Sequence, residues 1–570
     1  MTMWFSYVLV VGFSVSVAAA DLPLVDLGYQ RHRAIAFNET GDYYNFTNIR
    51  FGQPPVGNLR WAAPQAPLRS KESYATIVDG SEQGGNCPQV GPCWLTTQAA
   101  FTEAYLIGDA FDFHSTNEKI YADDACSTPL PPSARDPLES EDCLFLDVLV
   151  PRPIYDRRQN ATSRAPVLVY IFSGGFTFGA KNNFGPFGGS PAGLIDSSHI
   201  SSPDGLIYVA LNYRLGALGW MFGDKFASEG GVVNLGLHDQ RMALEWVQKN
   251  IHLFGGDPKR VTVMGESSGG GSILMQMTAY GNGTKAPFQQ AITQSGGWEP
   301  ATVDLKLQNE IFDDYLSLLN VSSLKEARKL PSKTVIDANQ VILLNSTYGT
   351  AYFGPVPDDS FVPDDPKRLL RDGKVDKSVK LLTSIAGNEG LRFTSSNITS
   401  EADFQQFIGL LFESANETVR NYLTETVYPP VFDGSLGYTN QRERAGLFRG
   451  EIVITCNIRY LHDAVHQAGY AHLWDAYPSL HLGDVAYVFW NGPQNFSPIN
   501  GTIARVMQNY ITSFAITTNP NNKESPHLAE YDGKSMLRMS RSGFDIVADP
   551  TDNERCAYLG GAPYWPEVAK

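Results

Sequence analysis

Gly265-Glu266-Ser267-Ser268-Gly269 sets a serine between two glycines, after the apolar run Val261-Thr262-Val263-Met264 and before the helix-permissive stretch 272–279. In a strand–turn–helix context, G-x-S-x-G forms a nucleophile elbow, a turn tight enough to hold the serine in a strained backbone conformation. Gly265 and Gly269 carry no Cβ, so strand and helix can close on each other without a clash. The serine oxygen then stands at the positive N-terminal end of a helix. In a chain with 52 glycines the pentapeptide alone is weak evidence, and the flanking strand and helix are what single it out. The chemistry implied is attack of Ser267 on a carbonyl carbon. That needs a base for the hydroxyl proton and donors for the oxyanion.

The donors are proposed from backbone. The apolar run 166–172 leads straight into Ser173-Gly174-Gly175-Phe176, where two adjacent glycines leave N–H groups open to close approach. Gly174, Gly175 and the N–H of Ser268 form the expected oxyanion hole. In a fold with such an elbow the acid and then the base follow the serine along the chain. Ala386-Gly387-Asn388-Glu389-Gly390 directly follows the strand-like run 380–386, which makes Glu389 the candidate acid. Five histidines lie beyond it: His462, His466, His472, His481 and His527. His462 and His466 are one helical turn apart with no third metal ligand near, and they read as an ordinary helix face. His472 falls inside a strand and His527 in a polar loop. His481, in Tyr477-Pro478-Ser479-Leu480-His481, follows the last clear strand and is the expected general base, with Glu389 holding its tautomer.

These groups must be positioned by elements that the sequence also suggests. Strands are expected over 166–172, 206–212, 261–264, 290–294, 380–386 and 471–475. A helix is expected over 237–251, with Leu237, Leu244, Val247 and Ile251 on one face and a stop signal at 254–258. Strand, helix and strand in this order predict a large, mostly parallel α/β sheet with helices on both faces and a site beyond the carboxyl ends of its strands.

Composition bounds the rest. No linker, repeat or low-complexity tract interrupts the 570 residues, so residues 21–570 read as one domain with insertions. Residues 1–20 are apolar, lack charge and end in Ala18-Ala19-Ala20, as a cleaved signal peptide does. No later segment is apolar enough to span a bilayer. Sequons at Asn38, Asn45, Asn160, Asn282, Asn320, Asn345, Asn397, Asn416 and Asn500 agree with a secreted, extracellular glycoprotein, and the one at Asn495 is weakened by Pro498. A net charge of −16 excludes nucleic acid as the expected partner. Six cysteines without paired C-x-x-C spacing point to disulfides and not to a metal. No cofactor is implied, and oligomeric state is not legible.

The chain resembles the type-B carboxylesterase/lipase family of α/β-hydrolases, which includes the cholinesterases and secreted fungal lipases. The resemblance is carried by 51–60, 140–148, Asn212-Tyr213-Arg214-Leu215-Gly216, 234–241, 250–258, 265–269, Gln294-Ser295-Gly296-Gly297 and 387–390, in that order. It implies a Ser267–Glu389–His481 triad with an oxyanion hole from Gly174, Gly175 and Ser268, and supporting partners of the histidine at Ser295 and Asp484. It also implies a Cys87–Cys143 disulfide closing an insertion, 87–143, over the active site. Cys93–Cys126 and Cys456–Cys556 are then the remaining pairs, with Cys87 and Cys93 interchangeable. Phe172 and Ser173 depart from the residues common before the oxyanion glycines. Ser268 replaces an alanine, and no cysteine lies between Cys143 and Cys456.

The resemblance implies hydrolysis of neutral, apolar small-molecule esters through an acyl-enzyme. Within the 87–143 insertion, Trp94, Leu95, Phe101, Tyr105, Leu106, Ile107, Phe111 and Phe113 suggest either a lid helix, with Phe101 and Tyr105 on one face, or simply the insertion's own core. A lid would favour a lipase acting on long-chain acylglycerols or sterol esters. A cholinesterase fits less well, since Trp94 is the only tryptophan in the insertion and sits too near Cys87. A silent adhesion protein of this family would have lost the serine that this chain keeps.

Overall fold

The apolar, β-branched runs lie side by side in one sheet. The computed structural model describes residues 22–69, 74–81, 84–107, 126, 128–182, 189–298, 305–347, 352–412, 415–466, 469–493 and 499–563. Residues 1–20, Phe111, Phe113 and Asn495 therefore lie outside the described residues.

In chain order the strands of this sheet are β1 (Ala36–Asn38), β2 (Tyr43–Arg50), β3 (Phe145–Pro151), β4 (Ala165–Ile171), β5 (Ile207–Leu211), β6 (Gly256–Glu266), β7 (Gln290–Gln294), β8 (Lys380–Ala386), β9 (Tyr470–Asp475), β10 (Ser535–Ser540) and β11 (Gly543–Ala548). Across the sheet they run β11-β10-β9-β8-β7-β6-β4-β5-β3-β2-β1. Every pair from β5 through β10 is parallel, and antiparallel pairing is confined to the two flanks. All residues of β4, β5 and β7 are buried, as a parallel sheet covered on both faces requires.

The helices that bear on the site are α1 (Cys93–Ile107), α2 (Leu235–Asn250), α3 (Ser268–Thr278), α4 (Gln441–Gly450), α5 (Asn457–Val465) and α6 (Gly501–Thr517). Leu237, Leu244, Val247 and Ile251 are all buried, although α2 begins two residues earlier than its apolar periodicity predicts. The strand expected at 261–264 is longer. Gly255, at φ 92°, ends the turn after α2, and β6 starts at once by pairing Gly256 with Ala165.

Four of the sequence motifs are joined two by two through buried ion pairs. Arg60 Nη2 lies 2.5 Å from Glu141 Oε2, joining the 51–60 and 140–148 segments. Arg214 Nη2 lies 2.7 Å from Asp239 Oδ1, joining Asn212–Gly216 to α2. Three disulfides are formed: Cys87–Cys143, Cys93–Cys126 and Cys456–Cys556. Cys87 and Cys93 thus keep separate partners.

Helix α1 rises from Cys93 and is docked on the body. Gln98 Nε2 donates to the Thr394 carbonyl at 2.6 Å, Tyr105 Oη to Glu443 Oε1 at 3.0 Å, and Tyr477 Oη to the Leu106 carbonyl at 2.7 Å. The Arg442 guanidinium covers Phe101 and Tyr105 at 4.7 and 5.1 Å from their ring centroids. Phe101 and Tyr105 do share one helix face, and that face packs against α4.

Candidate active site

The elbow is built by contacts that only glycine allows. A Cβ on Gly265 would sit 2.5 Å from the Gly269 carbonyl carbon, and one on Gly269 would sit 2.2 Å from the Ile171 carbonyl oxygen. Strand β6 and helix α3 therefore meet backbone to backbone. Ser267, between them, is held at φ 53° and ψ −122°, a conformation that costs a non-glycine residue on the order of 1–3 kcal/mol. Three backbone bonds keep it there. Its N–H donates to the Gln294 carbonyl, and its carbonyl accepts from Gly271 and Gly297, all at 2.9 Å.

The loops after β8 and β9 deliver the other two side chains. Glu389 follows β8, where the Gly387 N–H donates to the Trp474 carbonyl and the Asn388 N–H to the Ser479 carbonyl. His481 follows β9 and is fully buried, its ring edge-on to Phe393 with 5.1 Å between centroids. His481 Nε2 lies 2.7 Å from Ser267 Oγ and its Nδ1 lies 2.6 Å from Glu389 Oε2. The other carboxylate oxygen, Oε1, accepts the Ala386 N–H at 2.6 Å. The structure thus brings Ser267, His481 and Glu389 into one hydrogen-bonded chain from three separate strand ends.

The turn after β4 holds Gly174 at φ 121° and Gly175 at φ 58°. A Cβ on Gly174 would fall 1.8 Å from the Phe178 carbonyl oxygen, so that position excludes every other residue. Gly175 and Ser268 line a cavity of about 130 Å³ together with Ser267 and His481. The rest of its surface is largely aromatic and aliphatic, including Phe176, Phe222, Trp298, Phe353, Val453 and Ile454.

Neither Ser295 nor Asp484, the expected neighbours of the histidine, hydrogen-bonds His481 among the described residues. Ser295 Oγ has no hydrogen-bond partner among the described residues. Asp484 accepts from Gln294 Nε2 at 3.1 Å through Oδ2. Ser295 is buried in the sheet by its own backbone bond to Ser384, and Asp484 is turned toward the end of β7. The additional carboxylate beside the imidazole is Glu266, whose Oε1 lies 3.5 Å from His481 Nε2. Its only signal in the sequence is its place in the G-x-S-x-G motif.

Glu266 is held well above the usual carboxylate range by burial, reinforced by the Asp484 and Glu389 carboxylates. Asp484 is pushed up to about 7, again by burial first and then by Glu389. Burial beside the Glu389 carboxylate raises the cost of ionising Glu266 and Asp484, and a proton held on each relieves it.

The remaining histidines stand apart. His462 Nε2 lies 3.0 Å from Thr383 Oγ1, His466 caps α5, His472 is buried within β9, and His527 is exposed. Among the described residues no group of three His, Cys, Asp or Glu side chains is placed to hold a metal ion. None of the cavity-lining residues belongs to the described part of the 87–143 insertion, of which residues 108–125 and 127 lie outside the described residues. Its helix α1 instead spends its aromatic face on α4.

A strained serine at a strand–helix junction, aligned with a histidine and a glutamate at the carboxyl ends of a parallel sheet, defines an α/β-hydrolase site. The carboxylesterase family pattern matches residues 31–558, and the chain belongs to that family. It is a carboxylic ester hydrolase. It is 48% identical over 547 residues to Carboxylesterase patB of Aspergillus clavatus, covering 95% of this chain and 96% of that protein. It is 29% identical to Secreted lipase 1 of Botryotinia fuckeliana, covering 88% and 87%. Among solved structures, EstA of Aspergillus niger shares the fold with a TM-score of 0.74 at 23% identity, covering 96% of this chain and all of that one.

Proposed function

We propose that the protein is a secreted serine esterase that cleaves small esters through an acyl-enzyme on Ser267. The observation that carries this reading is the continuous chain Ser267 Oγ–His481–Glu389, with links of 2.7 and 2.6 Å, opening into a cavity. Ser267 Oγ attacks the ester carbonyl carbon while His481 Nε2 takes its proton. The N–H groups of Gly174, Gly175 and Ser268 receive the oxyanion. Glu389 accepts from Nδ1–H and stabilises the imidazolium. Collapse returns the proton from Nε2 to the departing alcohol oxygen. Water, deprotonated by the same nitrogen, then releases the acid and restores Ser267.

The cavity, about 130 Å³, is well below the ~300–1,000 Å³ of sites for drug-sized ligands, which favours short acyl groups over long-chain glycerides or sterol esters. Three disulfides and the exposed sequon asparagines Asn160, Asn320, Asn345, Asn397 and Asn416 support export, with residues 1–20 removed and 21–570 forming a single catalytic domain.

The test is hydrolysis of a series of nitrophenyl esters from acetate to laurate by wild type and Ser267→Ala. Wild type should turn over the short esters fastest, and the variant should lose at least ~10³-fold in kcat. Equal rates in both proteins would overturn the reading. A rate that jumps for long esters above their solubility limit would replace the esterase with a lipase.

A further inference from the structure

The helix Leu305–Leu318 turns one amide toward the core together with its apolar side chains. Its buried residues are Gln308, Ile311, Phe312, Tyr315 and Leu316, the three-and-four spacing of a single amphipathic face. Tyr315 satisfies its hydroxyl by donating to the Val335 carbonyl at 3.2 Å. Gln308 is 6% exposed, and its Oε1 has no hydrogen-bond partner among the described residues. The helix is fixed at this end. Asn309 Oδ1 accepts the Lys225 N–H at 3.1 Å, and the Lys225 ammonium pairs with Asp313 one turn further on. A Cβ on Gly223 would lie 3.5 Å from the Gln308 backbone carbonyl carbon. These contacts seat the helix beside Phe222, and Phe222 and Gln308 line the same cavity as Ser267 and His481.

Burying an amide oxygen without a partner is costly, and a leucine would fill the same space at lower cost. Ester cleavage at Ser267 does not explain the amide oxygen either, since the oxyanion needs donors and a carbonyl oxygen supplies none. Buried acceptors are normally paired, so this one marks a place that a bound molecule completes. The terminal torsion of a glutamine side chain is broad, and the amide can turn its oxygen into the cavity at little cost. An amide oxygen only accepts, so the group that meets it carries a donor. A cation would bring a charge into an apolar cavity where a neutral amide cannot offset it. A hydroxyl brings the donor without the charge.

We propose that the preferred substrate carries a hydroxyl group besides the ester that is cleaved, and that Gln308 Oε1 accepts from this hydroxyl while Ser267 attacks the ester carbonyl. This rests on the ester-hydrolase reading above. Gln308 is then a specificity-determining residue, and the small cavity restricts the hydroxyl to a short acyl or alcohol group.

The test compares paired esters in which a methyl group stands in for the hydroxyl. Ethyl lactate against ethyl isobutyrate, and ethyl beta-hydroxybutyrate against ethyl isovalerate, place the hydroxyl on the acyl side. Ethylene glycol monoacetate against propyl acetate places it on the alcohol side. In at least one pair wild type should favour the hydroxy ester by ~10-fold or more in kcat/KM, because a site built to bond a substrate hydroxyl rejects the analogue that lacks it. Gln308→Leu should abolish that preference, while its Tm holds or rises because an unpaired buried oxygen is gone. Gln308→Glu keeps an acceptor at the same reach and should retain part of the preference.

No preference for the hydroxy ester in any pair overturns the proposal, and the wild-type measurement alone decides this if Gln308→Leu does not fold. An unchanged ratio in a folded Gln308→Leu protein overturns it as well, and a lowered Tm beside that ratio would assign Gln308 to structure alone. Failure to hydrolyse any of these esters overturns both this proposal and the hydrolase reading. Turnover of the methyl members without hydroxyl preference overturns this one alone.

Discussion

Glu389 spends its two oxygens on different partners, Oε2 on His481 Nδ1 and Oε1 on the Ala386 N–H, each at 2.6 Å. The carboxylate therefore cannot turn without breaking a backbone bond, and the imidazole it faces is fixed in one orientation. Glu389→Gln keeps the size and the bond to Ala386 but sets an amide against Nδ1. The neutral imidazole can then adopt the tautomer that leaves Nε2 protonated and unable to accept from Ser267. We expect kcat on nitrophenyl acetate to fall by about 10³–10⁴, as loss of the triad acid does in serine proteases, with an unchanged circular dichroism spectrum. A fall of less than tenfold would mean that Glu389 does not orient the base.

Gly269 tests the elbow itself. Its absent Cβ is what lets α3 approach the end of β4, where the Ile171 carbonyl oxygen would be only 2.2 Å away. Backbone cannot yield as a flexible side chain can, so Gly269→Ala should prevent correct packing of α3. The expected outcome is insoluble protein, or a soluble one with Tm lowered by ~10 °C or more, since severe strain in a core costs several kcal/mol. A variant with wild-type Tm would show that the two elements separate freely.

The parts of this architecture that were legible in the sequence are those where one strand end carries its own chemistry. Strands β7 and β8 match their expected limits because each is a short apolar run closed by polar or glycine residues. Glu389 and His481 could be nominated because each follows such a run.

The flanking strands were not legible for a physical reason. Ser535-Met536-Leu537-Arg538-Met539-Ser540 is not a continuous apolar run, and its identity as a strand comes from pairing with β9 and with Gly543–Ala548. Gln308 was invisible because nothing local distinguishes a helical glutamine that faces a cavity from one that faces water. Only the packing of Leu305–Leu318 beside Phe222 gives it a place in the site. Ser295 and Asp484 lie near the site, but among the described residues neither hydrogen-bonds His481: Asp484 accepts from Gln294 and Ser295 Oγ has no partner.

The Arg60–Glu141 pair makes a prediction about stability. The side chains are 3% and 1% exposed and 2.5 Å apart, and Arg60 Nη1 also donates to the Ala327 carbonyl at 2.9 Å. Glu141→Gln leaves the guanidinium buried without its counter-charge, which should cost ~3–5 kcal/mol. The double variant Arg60→Met/Glu141→Gln should recover part of that loss, because the uncompensated charge is gone. Denaturant midpoints of the two singles and the double form the cycle that checks it. A double variant as unstable as the sum of the singles would mean that the two side chains act independently.

Asp484 offers a test of the carboxylate crowding near His481. Its carboxyl is pushed up to about 7 from an ordinary value of 3.8, by burial and by Glu389. Between those two values the folded protein keeps a proton that the unfolded chain has already released. The group's stabilising contribution is thus fully present below about pH 4 and is lost as pH rises through about 7. Asp484→Asn removes the titration while keeping an oxygen to accept from Gln294. The variant's Tm relative to wild type should therefore rise steadily between about pH 5 and about pH 8 and level off above. Differential scanning calorimetry across that range at constant ionic strength measures it, with each pKa unit corresponding to about 1.4 kcal/mol. A Tm difference independent of pH would show that Asp484 is ionised in the folded protein throughout, and that the site tolerates two neighbouring negative charges.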